Sequence, residues 1–225
     1  MFGRATIDRS ESVEEYLEAL YKAGHGGEGV TVRQLAADLG VARPSVSQML
    51  HRLADDGLVV RGAAGAATLT EQGRREGARL VRRHRLSERF LADYLELPWD
   101  AVHDEACRFE HVLSPEVEAR LAAQLGNPRT CPHGHVIPSE DGTLDEVAVR
   151  PLDQLEPGER GVIACIADES ADLLRYLASL GLLPDTAVSI EGVAPFGGPL
   201  LVRVGESQYA IGPEVAAKIF VASAA

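Results

Sequence analysis

Histidine, cysteine and glutamate residues recur at helical spacing in two neighbouring stretches of the sequence. His84 and Glu88 are four residues apart. The second stretch places four such residues at i, i+4, i+7 and i+8, namely His103, Cys107, Glu110 and His111. Residues at these spacings share one face of a helix. Imidazole, thiolate and carboxylate groups on facing helices can build a metal site inside a bundle, so the pattern predicts binding of divalent metal ions.

Each part of this pattern also has a simpler interpretation. His84 and Glu88 could form a solvated ion pair, and Cys107 could be an ordinary buried side chain. A helix face that only packed into the core should be apolar, however. The full set of six residues therefore favours a metal site over ordinary packing.

A second group of ligand-type residues lies at Cys131-Pro132-His133-Gly134-His135. The surrounding stretch, residues 126–145, is rich in proline and glycine and is interpreted as a connector. We therefore favour a connector without a metal-binding role for this motif.

Three segments must position the candidate ligands. In the first, Ser10 or Ser12 can cap a helix through Tyr21, and Thr31 with Gln34 forms a capping box for a helix over 32–39. A further helix is predicted from Pro44 to Gly57, followed by a β-hairpin over 58–70. Residues 71–125 are predicted to be almost wholly helical. The last segment alternates short strands, at 162–163, 188–190, 200–204 and 209–211, with one helix over 170–180, which is typical of a small β-barrel.

The order helix, glycine-containing turn, helix and hairpin indicates a winged helix-turn-helix, whose second helix enters the DNA major groove. That helix begins with hydroxyl and amide side chains that suit base edges, while nearby arginines can neutralise phosphates. The candidate DNA-binding residues are Arg33, Arg43, Pro44, Ser45, Ser47, Gln48, Arg52 and Arg61.

The charge distribution is compatible with this interpretation although the net charge is −12. Residues 1–96 hold 14 basic and 14 acidic residues, whereas residues 97–225 hold 8 and 20 and carry the whole excess. A neutral first part can still present a basic face to DNA. The sequence contains no run of 18 apolar residues and no signal-peptide pattern, so we expect a cytoplasmic protein without contact to a membrane.

Several longer motifs resemble those of the diphtheria toxin repressor family of iron- and manganese-dependent regulators. They are His84-Arg85-Leu86-Ser87-Glu88-Arg89, the stretch 103–114 around His103-Asp104-Glu105-Ala106-Cys107, and Pro44-Ser45-Val46-Ser47-Gln48. Near the C-terminus, residues 180–184 and 194–200 resemble the SH3-like FeoA domain. The resemblance covers nearly the whole chain.

The resemblance implies two metal sites per subunit. One would use His84, Glu88 and His103, completed by Glu169 and Asp172 from the third domain. The other would use Cys107, Glu110 and His111 with Glu15 from the first helix. Glu15 departs from the iron sensors, which place methionine there, whereas Cys107 matches them. We expect Fe²⁺ or Mn²⁺, with iron slightly favoured.

The resulting expectation is a mainly α fold with a small amount of β structure. It comprises a winged helix-turn-helix domain (1–70), a helical metal-binding and dimerisation domain (71–138), a linker (139–147) and an SH3-like β-barrel (148–225). The resemblance implies a metal-dependent homodimeric repressor of metal-homeostasis genes, which binds an operator in double-stranded DNA and is not an enzyme. The alternatives are a metal-independent winged-helix regulator that senses a small molecule and, with less support, a metalloenzyme.

Overall fold

The computed structural model describes residues 11–24, 29–62, 65–145 and 147–223. The chain forms two compact units. The first contains residues 1–84 and 138–144, and the second contains residues 85–137 and 145–225. Within the described ranges, no helix combines the length and the apolar character needed to cross a membrane.

Three helices of the first unit form the predicted DNA-reading arrangement. They are α1 (Glu11–Ala23), α2 (Val32–Asp38) and α3 (Arg43–Asp55). The capping box at the start of α2 is confirmed. The backbone N–H of Gln34 donates to Thr31 Oγ1, and the backbone N–H of Thr31 donates to the side-chain Oε1 of Gln34. Gly40 in the following turn has a φ of +64°, a conformation that favours glycine. Ser10, one of the two predicted caps of α1, lies outside the described residues.

The predicted hairpin is the antiparallel pair β1 (Val59–Arg61) and β2 (Ala67–Leu69), with Val60 opposite Thr68. Apolar residues at helical spacing on α1 and α3 pack with this hairpin into one core, which includes Leu17, Leu50 and Leu53. Gly77 contacts α1 so closely that an added Cβ would lie 2.8 Å from the Tyr21 Cβ. Glycine at this position therefore allows the two helices to pack.

The boundary between the two units falls within α4 (Glu71–Asp93). The second unit contains the last part of α4 together with α5 (Val102–Phe109) and α6 (Pro115–Gln124). The pair Ser114-Pro115 is a typical helix start, and Ser114 caps α6, because its Oγ accepts a hydrogen bond of 3.3 Å from the Val117 N–H. A 3₁₀ turn over Glu110–Val112 follows α5 directly. The predicted helical face from His103 to His111 is thus not one continuous α-helix.

Residues 149–223 form an antiparallel sheet with the strand order β3-β8-β4-β5-β6-β7. The strands are β3 (Val149–Pro151), β4 (Arg160–Ile166), β5 (Ala187–Val193), β6 (Leu200–Val204), β7 (Ser207–Ile211) and β8 (Ile219–Ser223). Helix α7 (Ala171–Ser179) follows β4, and the short helix α8 (Pro213–Ala216) precedes β8. The four predicted strands and the predicted helix are present, whereas β3 and β8 were not predicted. The sheet with its inserted helix agrees with the small β-barrel predicted from the sequence, and it packs around Ile163, Leu174 and Val202.

The sequence offers apolar residues near Leu86, Phe90, Leu91, Tyr94 and Trp99 as candidates for the seam of a dimer. Leu86 and Leu91 are instead buried inside the second unit, and Trp99 packs against the core of the sheet. Tyr94 is 48% exposed and stacks on Phe90, with 5.8 Å between the ring centroids. Phe90, Tyr94 and Trp99 are therefore at least partly exposed, and the seam itself stays a prediction.

Candidate metal centre

Glu88 and His103 meet inside the second unit. Glu88, on α4, is fully buried, and His103 lies in the first turn of α5. The His103 Nδ1 is 3.4 Å from Glu88 Oε1 and 2.6 Å from Glu169 Oε2. Three of the residues that the sequence assigned to one metal site are thus brought together by α4, α5 and the segment between β4 and α7.

The connector adds two further ligand-type side chains to this group. Ligand atoms of Glu88, Cys131, His133 and Glu169 all lie within 4.8 Å of one another, and Cys131 and His133 are buried. Residues 131–135 are therefore not only a connector in position, since they lie beside the candidate ligands, while a metal-binding role for them stays a proposal. The alternation of cysteine and histidine at 131, 133 and 135 was the sequence signal for this group, and the surrounding proline and glycine residues led us to discount it.

Arginines of α4 hold the connector in place. The Arg89 guanidinium donates to the carbonyl oxygens of Thr130 (2.8 Å) and Cys131 (3.1 Å), and Arg85 donates to the carbonyl of Val136. Such charge-assisted hydrogen bonds are stronger than neutral ones. Gly134, with a φ of +89°, lies so close to β4 that an added Cβ would meet the Ala164 carbonyl oxygen at 1.9 Å. The segment is consequently a fixed part of the site.

His133 has a different partner at each ring nitrogen. Its Nε2 donates to the carbonyl oxygen of Trp99 at 2.8 Å, because a carbonyl can only accept. Its Nδ1 lies 3.2 Å from Glu88 Oε1 and 3.5 Å from Glu169 Oε1. The Trp99 carbonyl thus leaves Nδ1 as the nitrogen that can bind a metal, as outer hydrogen bonds commonly do for histidine ligands.

Both histidines carry raised pKa values. Burial alone would lower the pKa of His103, but its hydrogen bonds with Cys107, Glu169 and Glu88 raise it to about 11. Burial likewise opposes the charged form of His133, whose contacts with Cys131, Glu169 and Glu88 raise its pKa to about 12. These shifts favour the charged form of both rings beside the two carboxylates.

The two candidate ligands from the third domain, Glu169 and Asp172, differ in their exposure and in their partners. Glu169 has a side chain that is 14% exposed and contacts His103 and His133. Asp172 has a side chain that is 96% exposed and pairs with Arg175 at 2.5 Å. The structure thus places Glu169, and not Asp172, beside the other ligands.

The residues assigned to the other metal site lie around the end of α5. The Cys107 Sγ is 3.8 Å from His103 Nε2, so His103 has ligand-type neighbours at both nitrogens. Glu110 is buried in the 3₁₀ turn, where its Oε1 lies 3.7 Å from His111 Nε2. Glu110 and His111 therefore form a carboxylate–imidazole pair at the end of α5.

In the first unit, two of the four carboxylates of α1, Glu15 and Glu18, differ in burial. Glu15, the residue that the sequence assigned as a ligand, is exposed. Glu18, one turn later, is buried, with its Oε1 3.8 Å from His84 Nδ1 and 2.7 Å from the Lys22 ammonium group. Sequence reasoning missed Glu18, although its spacing from Glu15 could have suggested it.

The exposed side of α3 carries the residues expected to contact DNA. Arg43, Pro44, Ser45, Gln48 and Arg52 are exposed, as is Arg33 on α2, while Ser47 and Arg61 are partly buried. His51, one turn after Gln48, is also exposed and lies 3.0 Å, measured at Nδ1, from the Arg61 Nη1. The recognition helix and the wing thus present polar and basic groups on one accessible face.

Three segments of the chain match known protein domains. Residues 8–66 match the iron-dependent repressor N-terminal DNA-binding domain, and residues 70–139 match the iron-dependent repressor metal-binding and dimerisation domain. Residues 150–223 match the FeoA domain. The domain limits drawn from the sequence themselves stay a prediction.

Similar proteins and solved structures cover almost the whole chain. The iron-dependent repressor IdeR of Mycobacterium tuberculosis is 35% identical over 219 residues, which is 92% of this chain and 94% of that protein. The diphtheria toxin repressor of Corynebacterium diphtheriae is 38% identical over 70% of this chain and 68% of its own length. A manganese-dependent transcriptional repressor in complex with manganese is 36% identical with a TM-score of 0.89, covering 94% of this chain and all of that chain. ScaR with bound Cd²⁺ is 28% identical with a TM-score of 0.82, covering 94% of this chain and 99% of that chain. The chain belongs to the iron-dependent repressor family of metal-dependent transcriptional regulators.

Proposed function

We propose that this protein is a homodimeric repressor that binds an operator in double-stranded DNA when Fe²⁺ or Mn²⁺ is bound, and that it controls genes of metal homeostasis. The observation that carries the proposal is the buried group of Glu88, Cys131, His133 and Glu169 in a chain that also has a winged helix-turn-helix. Because its target is DNA, we place the protein in the cytoplasm.

The side chains of this group fit a divalent ion. Two carboxylates, an imidazole and a thiol supply oxygen, nitrogen and sulfur donors, which first-row transition metals accept. The Nδ1 atom of the fully buried His133 makes no hydrogen bond of good geometry within the described part of the chain, although carboxylates lie beside it. A bound cation would take the place of the ring proton of His133 and neutralise the buried carboxylates.

We assign two groups of ligands in each subunit. The first comprises His84, Glu88, His103 and Glu169, now extended by Cys131 and His133. The second comprises Cys107, Glu110 and His111 with a carboxylate of α1, for which Glu15 and Glu18 are the candidates. Asp172 remains a weaker candidate because it pairs with Arg175 and is exposed.

We slightly favour iron over manganese as the metal that the protein binds. Thiolate ligands favour the softer ions of the first-row series, and both Cys107 and Cys131 are candidates. The additional carboxylate of α1 favours manganese, which prefers oxygen ligands. The relative named IdeR is an iron-dependent repressor, and the solved structure with the TM-score of 0.89 is a manganese-dependent one, so relatives of both kinds resemble this chain.

Thermodynamic linkage couples metal binding to operator binding. If metal raises the affinity for the operator by some factor, operator DNA raises the affinity for metal by the same factor. In our proposal, the exposed face of α3 with Gln48 reads bases, while Arg33, Arg43, Arg52 and Arg61 contact phosphates. A C2 dimer would place two α3 helices about one turn of DNA apart.

The experiment is an anaerobic titration of the metal-free protein with Fe²⁺ and with Mn²⁺, with DNA binding measured by fluorescence anisotropy. The probes are duplexes selected from a random-sequence pool in the presence of each metal. We expect tight binding with metal and at least tenfold weaker binding after chelation. Equal binding with and without metal would contradict the proposal and favour a metal-independent regulator.

A further inference from the structure

The side chain of Arg61 leaves the wing on the side that faces the helices. Along β1, Val59 is buried and Val60 is exposed, and Arg61 is partly buried in the next position. Successive side chains of a strand point to opposite faces, so Arg61 shares the face of Val59, which packs into the core with α3. Across the hairpin, Arg61 pairs with Ala67, which is fully buried on the same face. Arg61 thus projects toward α3 and away from the outer face of the hairpin.

His51 of α3 contacts this side chain. The Arg61 Nη1 lies 3.0 Å from His51 Nδ1 and also contacts the Nε2 of the same ring. A guanidinium group only donates hydrogen bonds, so the imidazole nitrogen that accepts here carries no proton. The contact joins the recognition helix to the wing, and both elements belong to the first unit. It therefore depends on a neutral imidazole as the acceptor for a cation.

The contact lies beside the residue that we expect to read bases. His51 follows Gln48 by three residues, so the two exposed side chains are neighbours on the surface of α3. The N-terminal residues of a recognition helix contact base edges in the major groove. His51 lies one turn beyond Gln48, and Arg61 reaches it from the wing. We therefore expect the Arg61 guanidinium to meet the phosphates that border the groove.

We propose that His51 is a positioning residue for DNA binding, which holds the Arg61 guanidinium beside α3 so that the wing binds an operator phosphate with a pre-ordered cation. This inference rests on the proposed function and deepens it, because it names the residue that orders one of the arginines assigned to phosphates. His51 itself need not touch DNA in this arrangement, since it acts through Arg61.

The donors of Arg61 allow both contacts at once. The contact with His51 uses Nη1, so Nη2 and Nε can together donate to one phosphate. Arg33, Arg43 and Arg52 are exposed, whereas Arg61 is partly buried. An exposed arginine loses side-chain freedom when it binds, and the contact with His51 has already restricted Arg61 in the free protein. Arg61 should therefore bind a phosphate with a smaller loss of conformational entropy than the exposed arginines.

The test is a double-mutant cycle on DNA binding. The full-length protein is loaded with Mn²⁺, and dissociation constants are measured by fluorescence anisotropy for a duplex selected from a random-sequence pool and for an unrelated duplex of the same length. The variants are His51→Ala, Arg61→Ala and the double substitution. The matched control cycle combines His51→Ala with Arg33→Ala, which removes an exposed arginine from α2. Circular dichroism of each variant establishes that it is folded.

We expect His51→Ala to weaken DNA binding by about two- to tenfold, the range that corresponds to the ordering of one long side chain. Because a phosphate contact carries no sequence information, both duplexes should be affected by the same factor. In the Arg61→Ala protein, the substitution of His51 should have no further effect, since His51 acts through that arginine. In the Arg33→Ala protein, the two losses of affinity should multiply.

A pair of further variants tests the role of the acceptor. His51→Gln keeps an acceptor on the side chain and should bind DNA nearly as well as the wild type, whereas His51→Leu has similar bulk without an acceptor and should behave like His51→Ala. Equal binding by these two variants would overturn the proposal. So would a loss from His51→Ala that is the same with and without Arg61, or one confined to the selected duplex, which would make His51 a base-reading residue.

The same measurements after chelation of the metal distinguish this inference from the proposed function. Binding to the selected duplex that chelation does not weaken contradicts the proposed function. Losses from His51→Ala and Arg61→Ala that simply multiply, in a protein whose DNA binding depends on Mn²⁺, contradict the positioning role alone.

Discussion

The Trp99 carbonyl oxygen accepts the Nε2 proton of His133 at 2.8 Å, and the two rings lie 5.6 Å apart between centroids. Trp99 is the single tryptophan of the chain, so its fluorescence reports on the surroundings of His133. The ring that faces Glu88 and Glu169 with its Nδ1 therefore lies beside the indole of Trp99, which serves as a spectroscopic probe.

We expect Zn²⁺ to change Trp99 emission when it is added to the metal-free protein. His133→Ala should abolish this change because it removes the ligand that touches the indole, whereas His111→Ala should retain it. The measurement is a fluorescence titration of the three proteins at the same concentration. An unaltered response in His133→Ala would show that the metal does not bind at this ring.

Metal binding should release protons from the group. Because His103 and His133 have pKa values of about 11 and 12, both rings are protonated at neutral pH and must lose a proton to bind a cation. The apparent affinity should therefore rise with pH, by up to about tenfold per pH unit for each proton displaced. Calorimetry in buffers of different ionisation enthalpy counts the protons, and Glu169→Gln should reduce their number.

The same pKa values set the pH dependence of stability in the metal-free protein. A histidine whose pKa is raised on folding stabilises the fold fully below its ordinary pKa of about 6.5, and this contribution is lost as the pH rises through the folded value. We expect the destabilisation caused by His133→Gln to be largest at pH 6 and to shrink toward pH 10. Thermal unfolding of the wild type and of His133→Gln between pH 6 and pH 10 tests this expectation. A difference in stability that does not change with pH would contradict it.

Replacement of His111 should separate metal sensing from folding. His111 is paired with Glu110 at the end of α5, and its side chain is only 13% exposed. We expect His111→Ala to abolish metal-dependent DNA binding, with unchanged circular dichroism. His51→Ala, which removes an exposed histidine from α3, provides the comparison for metal uptake, measured by native mass spectrometry. Full metal stimulation in His111→Ala would remove this residue from the site.

The two candidate carboxylates of α1 can be distinguished by paired substitutions. Glu18 is buried near His84 while Glu15 is exposed, so Glu18→Gln should weaken the metal response more than Glu15→Gln. If Glu15 is the ligand that the family resemblance implies, Glu15→Met should instead shift the response toward Fe²⁺, because Mn²⁺ depends more on oxygen ligands. The ratio of the Fe²⁺ and Mn²⁺ midpoints in DNA binding decides between the two residues.

Gln48 should contribute to sequence recognition. It is exposed one turn into α3, where its amide can form a pair of hydrogen bonds with an adenine. We expect Gln48→Ala to cost roughly 1–3 kcal/mol at the preferred site and to relax preference at one base position. Arg33→Ala should instead weaken all sites similarly and reduce the salt dependence. Selection from a random pool with each variant shows whether the preference changes.

Local patterns in the sequence predicted elements whose stability is local. The Thr31–Gln34 capping box, the Ser114 cap and the apolar spacing on α3 depend on neighbours within a few residues, and all three are present. The candidate metal centre depends on residues from four separate elements, of which the periodicity of α4 and α5 revealed two. Its candidate ligands in the connector, Cys131 and His133, have no helical spacing, so only the folded chain shows that they lie near Glu88.

The strands missed at the edges of the third segment have a related cause. β3 contains Arg150 and Pro151, which give it no alternating apolar pattern. It pairs with β8, some 70 residues later, so a long-range pairing defines β3, whereas β8 lies between β3 and β4 and pairs with both. Similarly, Asp172 follows Glu169 at a spacing that suits a shared site, but Arg175 one turn later provides a closer partner for its carboxylate.

The hydrogen bonds from Arg85 and Arg89 to the 130–136 backbone have a consequence for how the sequence can vary. A stretch rich in proline and glycine ordinarily tolerates insertions and deletions, because little depends on its length. Here each arginine donates a hydrogen bond to a particular carbonyl oxygen, and Gly134 has no room for a side chain beside Ala164. Adding or removing one residue between Thr130 and Val136 would shift Cys131 and His133 out of alignment with Glu88, while conservative changes at Pro132 would leave them in place.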